Sequence, residues 1–114
     1  MGVGAPATIL IWYGDYKLTE SDKTLLQARM RVPDQVLFQE VGGQAALLHI
    51  QSELYFGLDD VGTRMWKTLV EAETIGAAAQ TLIETYDGAP EQILDDLINL
   101  VLELKNHGLV EIIS

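Results

Sequence analysis

The stretch Glu53–Trp66, ELYFGLDDVGTRMW, changes its period in mid-course, and that change decides the fold. Leu54, Phe56 and Leu58 alternate with Tyr55 and Gly57, so the first half reads as a strand with one apolar face. From Asp59 or Asp60, either of which can cap a helix, the spacing becomes helical. Val61, Met65, Trp66, Leu69 and Val70 then line one side. A strand therefore runs into a helix with no loop between them. Arg64 is expected to face solvent or an acid.

Working outward, VLFQEV (36–41) and AALLHI (45–50) flank Gly42-Gly43, a pair suited to the positive φ angles of a tight hairpin. QSE is a second short turn into LYFGL, so the three strands form an antiparallel meander. Alternation puts Ala46, Leu48 and Ile50 on one face. Downstream, Thr74 caps a second helix in which Ile75, Ala78, Ala79, Leu82, Ile83 and Tyr86 repeat at helical spacing. Asp87-Gly88 breaks it. Pro90 and Glu91 suit the start of a third helix, Gly108 suits its end, and LVEII closes the chain as a short strand. The order β-β-β-α-α-α gives an α+β class, like a winged helix-turn-helix, over residues 31–114.

Residues 1–30 read as an extension. MGVGAP is a flexible end, and TILIWYGDYKL an extra strand-like segment or hairpin. TESDKTLLQARM reads as a short helix capped by Thr19 or Ser21, with Leu25, Leu26 and Met30 as its apolar positions. The Val32-Pro33 step ends that segment.

Composition narrows the function. The 114 residues form one domain, 48% hydrophobic, with no cysteine and two histidines. Thiolate chemistry and a protein-only zinc site are thereby set aside. Seventeen acids against seven bases give a net charge of −10, a poor match to the counterion displacement that nucleic-acid binding requires. ATILIWY falls far short of the ~20 residues that span a bilayer, and no secretory signal is recognisable, so no membrane role and a cytoplasmic location are expected.

Catalytic groups are few. His49 lies in a strand pattern and His107 at a helix C-terminus. Asp59-Asp60 and Asp95-Asp96 are sequence neighbours that do not share a helix face. No phosphate-binding loop or nucleophile elbow occurs, so neither an enzyme nor a cofactor is expected. The third helix carries more. Ile93, Leu94, Leu97, Leu100, Val101 and Leu104 cover a core face, while Ile98 and Leu102 fall outside it, flanked by Asp95 and Lys105. Either the N-terminal segment or a dimer partner covers them, or they wall a groove for a ligand or peptide. A DNA reader would put this helix in the major groove, where Glu91, Asp95, Asp96 and Glu103 against Lys105 would be repelled.

YFGLDDVGTRMWKTLVE, followed by TIGAAAQTLIETYDGAPEQILDDLINLVLELKNHGLVEI, resembles the PqqD-like family, also called RiPP recognition elements. The likeness starts near RVPDQVLFQEVGGQAALLHIQSELYFGL and extends over residues 31–112. It implies a non-catalytic chaperone that binds the leader of a ribosomally made precursor peptide and presents it to a modifying enzyme, such as a radical SAM enzyme, protease or cyclase. The family mode is strand addition to the third strand beside the third helix. The groove would map onto Leu54, Tyr55, Phe56, Gly57, Ile98, Leu102 and Lys105. The YFGL form resembles members tied to lasso peptides at least as much as the one serving pyrroloquinoline quinone. Residues 1–30 exceed a minimal member, and TILIWYGDYKL would pair with its own sheet, swap into a partner to give a homodimer, or cover the core. A winged-helix regulator or nucleic-acid adaptor, and a scaffolding subunit without a groove, are the alternative readings.

Overall fold

The computed structural model describes residues 18–113, so the expected strand at TILIWYGDYKL lies outside the described residues but for Leu18. The chain runs α1 (Glu20–Gln27), β1 (Arg29–Arg31), β2 (Val36–Val41), β3 (Gln44–His49), β4 (Leu54–Leu58), α2 (Asp60–Glu71), α3 (Ile75–Thr85), α4 (Pro90–Asn106) and β5 (Glu111–Ile113). β2, β3 and β4 form an antiparallel sheet in that order. β1 and β5 form a separate antiparallel pair, with Arg31 opposite Glu111 and ion-paired to it. The α+β meander followed by three helices is the architecture expected from the sequence.

Gly42 and Gly43 have φ angles of 64° and 85°, the conformation their hairpin demands. Thr19 is the cap of α1, accepting from the Asp22 N–H at 3.0 Å while Asp22 reaches back to the Thr19 N–H. That helix is shorter than its sequence pattern suggests. It stops at Gln27, and Met30 belongs to β1. Two contacts enforce the stop: the Ile75 N–H donates to the Ala28 carbonyl at 2.9 Å, and β1 must extend to pair with β5.

Burial divides into two connected clusters. Leu25 and Leu26 of α1 join Met65, Leu69, Ile75, Ala78, Ala79, Leu82, Leu94, Leu97 and Val101 in a core between helices. Leu47, Leu58, Trp66, Leu104, Leu109 and Val110 fill the space beneath the sheet. Met30, Leu100 and Ile112 touch both clusters. On β3 the inward residues are Ala45 and Leu47, so the face holding Ala46, Leu48 and Ile50 is the outer one.

The rotation of α2 departs from its apolar stripe. Met65, Trp66 and Leu69 are buried as expected, but Val61 and Val70 are about half exposed, and Thr63 is buried instead. The junction with β4 sets this. Asp59 accepts from the Gly62 N–H at 2.8 Å, and the buried Thr63 hydroxyl donates to the Leu58 carbonyl at 3.4 Å. A Cβ at Gly62 would lie 3.2 Å from the Leu58 side chain, so glycine permits the close turn.

Asp59→Ala is expected to cost about 1 kcal/mol, read from chemical denaturation midpoints, because the Gly62 N–H loses its acceptor. Leu26→Ala should cost about 2–5 kcal/mol in the same assay, since Leu26 is fully buried in the helical core; a near-zero change would show α1 to be peripheral.

Candidate functional site

β4 stands at the end of its sheet, with β3 on one side and no strand on the other among the described residues. An unpaired edge presents a row of backbone N–H and C=O groups, a template for a further strand. Its flanks differ. Leu54 and Phe56 turn inward and are half buried against the sheet core. Tyr55 and Gly57 are exposed on the outer face. Among the described residues a Cβ at Gly57 would meet nothing within 4 Å, so their packing does not require glycine there. Glycine in a strand interior often marks a place where another backbone comes close.

The C-terminal end of α4 lies beside this strand. Its stop is a Schellman motif: Gly108, at φ 74°, donates to the Lys105 carbonyl at 3.0 Å, and Leu109 donates to the Leu104 carbonyl at 2.9 Å. Leu104 and Leu109 are both fully buried, which completes the motif's apolar contact. The stop holds His107 at the helix end, where its backbone N–H donates to the Glu103 carbonyl and its Nδ1 lies 2.8 Å from that oxygen. The His107 ring meets Phe56 edge-on, with centroids 5.5 Å apart. Leu100, Phe56 and Leu54 pack on the same sheet cluster. The edge of β4 thus has an apolar floor and an imidazole beside it.

Of the seven residues anticipated for this site, the structure keeps Leu54, Tyr55, Phe56 and Gly57 together on β4 and places the other three elsewhere. Ile98 is 6% exposed and packs in the helical core with Leu25 and Leu26, so it is a core residue and not a wall outside the stripe. Leu102 and Lys105 line an open cavity of about 410 Å³ with Glu20 and Leu25 of α1, with Ala28 just past it, and with Ile112. They lie on the flank of α4 that faces α1. On a helix at ~100° per residue, Leu100 is about 200° from both Ile98 and Leu102, so one groove cannot take all three. By sequence alone His107 is a helix-end residue and Leu100 a core position. The pairing of His107 with Phe56 joins residues far apart in sequence and leaves no local signal.

A second open cavity, of about 670 Å³, is lined by Glu40, Asp60, Thr63, Arg64, Lys67 and Glu71 among others. Lys67 pairs with Glu40 at 2.9 Å there. Arg64 is exposed to solvent, as expected, and its guanidinium also sits over the Tyr86 ring at 5.6 Å. Among the described residues, no group of three or more His, Cys, Asp or Glu could hold a metal ion, and no helix is long and apolar enough to cross a membrane.

The model of the family "Coenzyme PQQ synthesis protein D (PqqD)" matches residues 44–110. Among solved structures, TbiB1 in complex with the TbiA(beta) leader peptide is similar at 30% identity and a TM-score of 0.65, covering 71% of this chain and 94% of that one. Lasso peptide synthetase B1 complexed with its leader peptide is similar at 23% identity and a TM-score of 0.66, covering 74% of this chain and 99% of that one. Among curated proteins, none matches. Both solved relatives share the fold, and the family match runs from β3 through α4 to the buried Leu109 and Val110, so the chain is a member of the PqqD family.

Proposed function

We propose that this chain binds the leader segment of a ribosomally made precursor peptide as an added strand on β4 and presents it to a modifying enzyme. The observation that carries the reading is the open β4 edge, set between the Phe56–His107 contact and the bare backbone of Gly57. Strand addition draws affinity from main-chain hydrogen bonds and specificity from pockets for alternate side chains. Here the inward residues of the guest would meet Leu54, Phe56, Leu100 and His107. Its outward residues would lie beside Tyr55 and Gly57. The likeness to two proteins solved with leader peptides supports this choice of guest. Leu102 and Lys105, on the flank toward α1, would touch the guest only where it extends past the strand.

The catalytic step belongs to the partner, which would be a radical SAM enzyme, a protease or a cyclase. This chain supplies position: a flexible peptide held as a strand loses much of the freedom that would otherwise oppose its reaction. Duplex nucleic acid makes a poor guest, because α4 bears Glu91, Asp95, Asp96 and Glu103 against Lys105.

The test is a titration of the isotope-labelled protein with the TbiA(beta) leader peptide and with the leader of a precursor encoded beside this chain's own gene. Amide shifts are expected at residues 54–58 and 100–107. Shifts confined to α1 and the α1-facing side of α4, or none with either peptide, would overturn the site. His107→Ala should weaken the binding leader about 5–10-fold, as expected for loss of one aromatic contact, with little change in thermal midpoint.

A further inference from the structure

The outer face of the sheet carries no charge. By register and alternation it is formed by Leu37, Gln39, Val41, Gln44, Ala46, Leu48, Tyr55 and Gly57. Elsewhere the chain is rich in charge, with 21% of its residues Asp, Glu, Lys or Arg and a net charge of −10. Among the described residues, half of the exposed large hydrophobics lie on this face: Leu37 is 50% exposed, Val41 75%, Leu48 36% and Tyr55 72%, and Ile50, just past β3, is 53% exposed. Leu37 lies opposite Leu48, and Leu48 opposite Tyr55, so one apolar row crosses all three strands.

Area and charge together select the occupant. At about 200 Å² for a fully exposed large residue, these exposures leave on the order of 550 Å² of apolar residue surface open. That is the upper range for the largest apolar patch of a monomer, which is commonly an interaction site. With the flanking Gln39 and Gln44 it approaches the ~800 Å² per partner that a standard stable interface buries. The face offers neither cations to an acidic partner nor anions to a basic one. It is also a surface on which two copies of so acidic a chain can meet without pressing like charges together.

We propose that two copies of this chain associate outer face to outer face, packing the Leu37–Leu48–Tyr55 rows of the two sheets against each other. Facing sheets pack at a spacing of about 10 Å, filled by interleaved side chains. The β4 edge lies to the side of such a stack, so both copies keep an open edge. The dimer stands independently of the peptide-binding reading.

Sedimentation equilibrium of the full chain, from about 1 µM to about 500 µM, tests this. The expected result is a dimer mass at the upper end. Leu48→Glu and Val41→Lys should each shift the midpoint at least about 30-fold toward monomer, since each would bury an unpaired charge. Val41, at a strand end and 75% exposed, tolerates lysine without loss of the fold, so it keeps the test decisive if Leu48→Glu does not fold. Val70→Lys, on the solvent side of α2, should dimerise as the parent does. A monomer at every concentration overturns the proposal and leaves the face to a different partner or to this chain's own N-terminal residues. So does a dimer that survives both charged variants, or one that only deletion of residues 1–17 abolishes.

Discussion

The structure depends on the junction of β4 with α2, where three adjacent contacts act over six residues. Asp59 accepts the Gly62 N–H at 2.8 Å, Thr63 donates to the Leu58 carbonyl, and Gly62 presents no side chain to Leu58. Together they fix both where the strand ends and how far the helix is turned about its axis. That angle sends Met65 and Leu69 into the helical core and Trp66 into the core beneath the sheet. Consecutive residues at 65 and 66 thus bind the two halves into one body. A rotation of one residue, about 100°, would withdraw both from their clusters.

Because those contacts anchor the C-terminal end of β4, its far side can be left open. A strand that must hold its place by its own pairing is poorly suited to accept a guest. β4 is held instead by the helix that follows it, by β3, and by the inward packing of Leu54, Phe56 and Leu58. Its edge is short, at five residues, but carries neither lysine nor proline, two of the usual guards against a further strand. The C-terminal stop of α4 completes the arrangement by bringing His107 to Phe56.

The sequence made the strand–helix junction, the Gly42-Gly43 hairpin and the three caps of the helical half legible, since each rests on contacts within a few residues. It misjudged what depends on neighbours remote in the chain. Val61 and Val70 fit the apolar stripe of α2, yet the Asp59 cap turns them outward and Thr63 inward. Ile98 falls at the margin of the α4 core stripe, and Leu25 and Leu26 of α1 extend that core to cover it. Met30 continues a helical spacing, but pairing with Ile112 claims it for a strand. That Leu54, Tyr55, Phe56 and Gly57 share one strand was legible from alternation alone. The helix residues beside them were not, because which flank of α4 meets β4 is settled by tertiary packing.

The β4 edge and the outer face of the sheet have different chemistry, and this separates their roles. The β4 edge offers unpaired backbone groups, which a guest satisfies by matching hydrogen bonds almost irrespective of its side chains. The outer face offers side chains over a backbone already paired, and gains only from excluding water over apolar area. Tyr55 belongs to both, at the end of the apolar row and on the strand that carries the edge. A strand added to β4 would place its outward side chain next to Tyr55 and lengthen the row by one member. An apolar residue there enlarges the outer face, whereas a charged one interrupts it. The side-chain pattern of a strand added to β4 would therefore be read twice, once by the Phe56–His107 floor and once by a partner packed on the outer face.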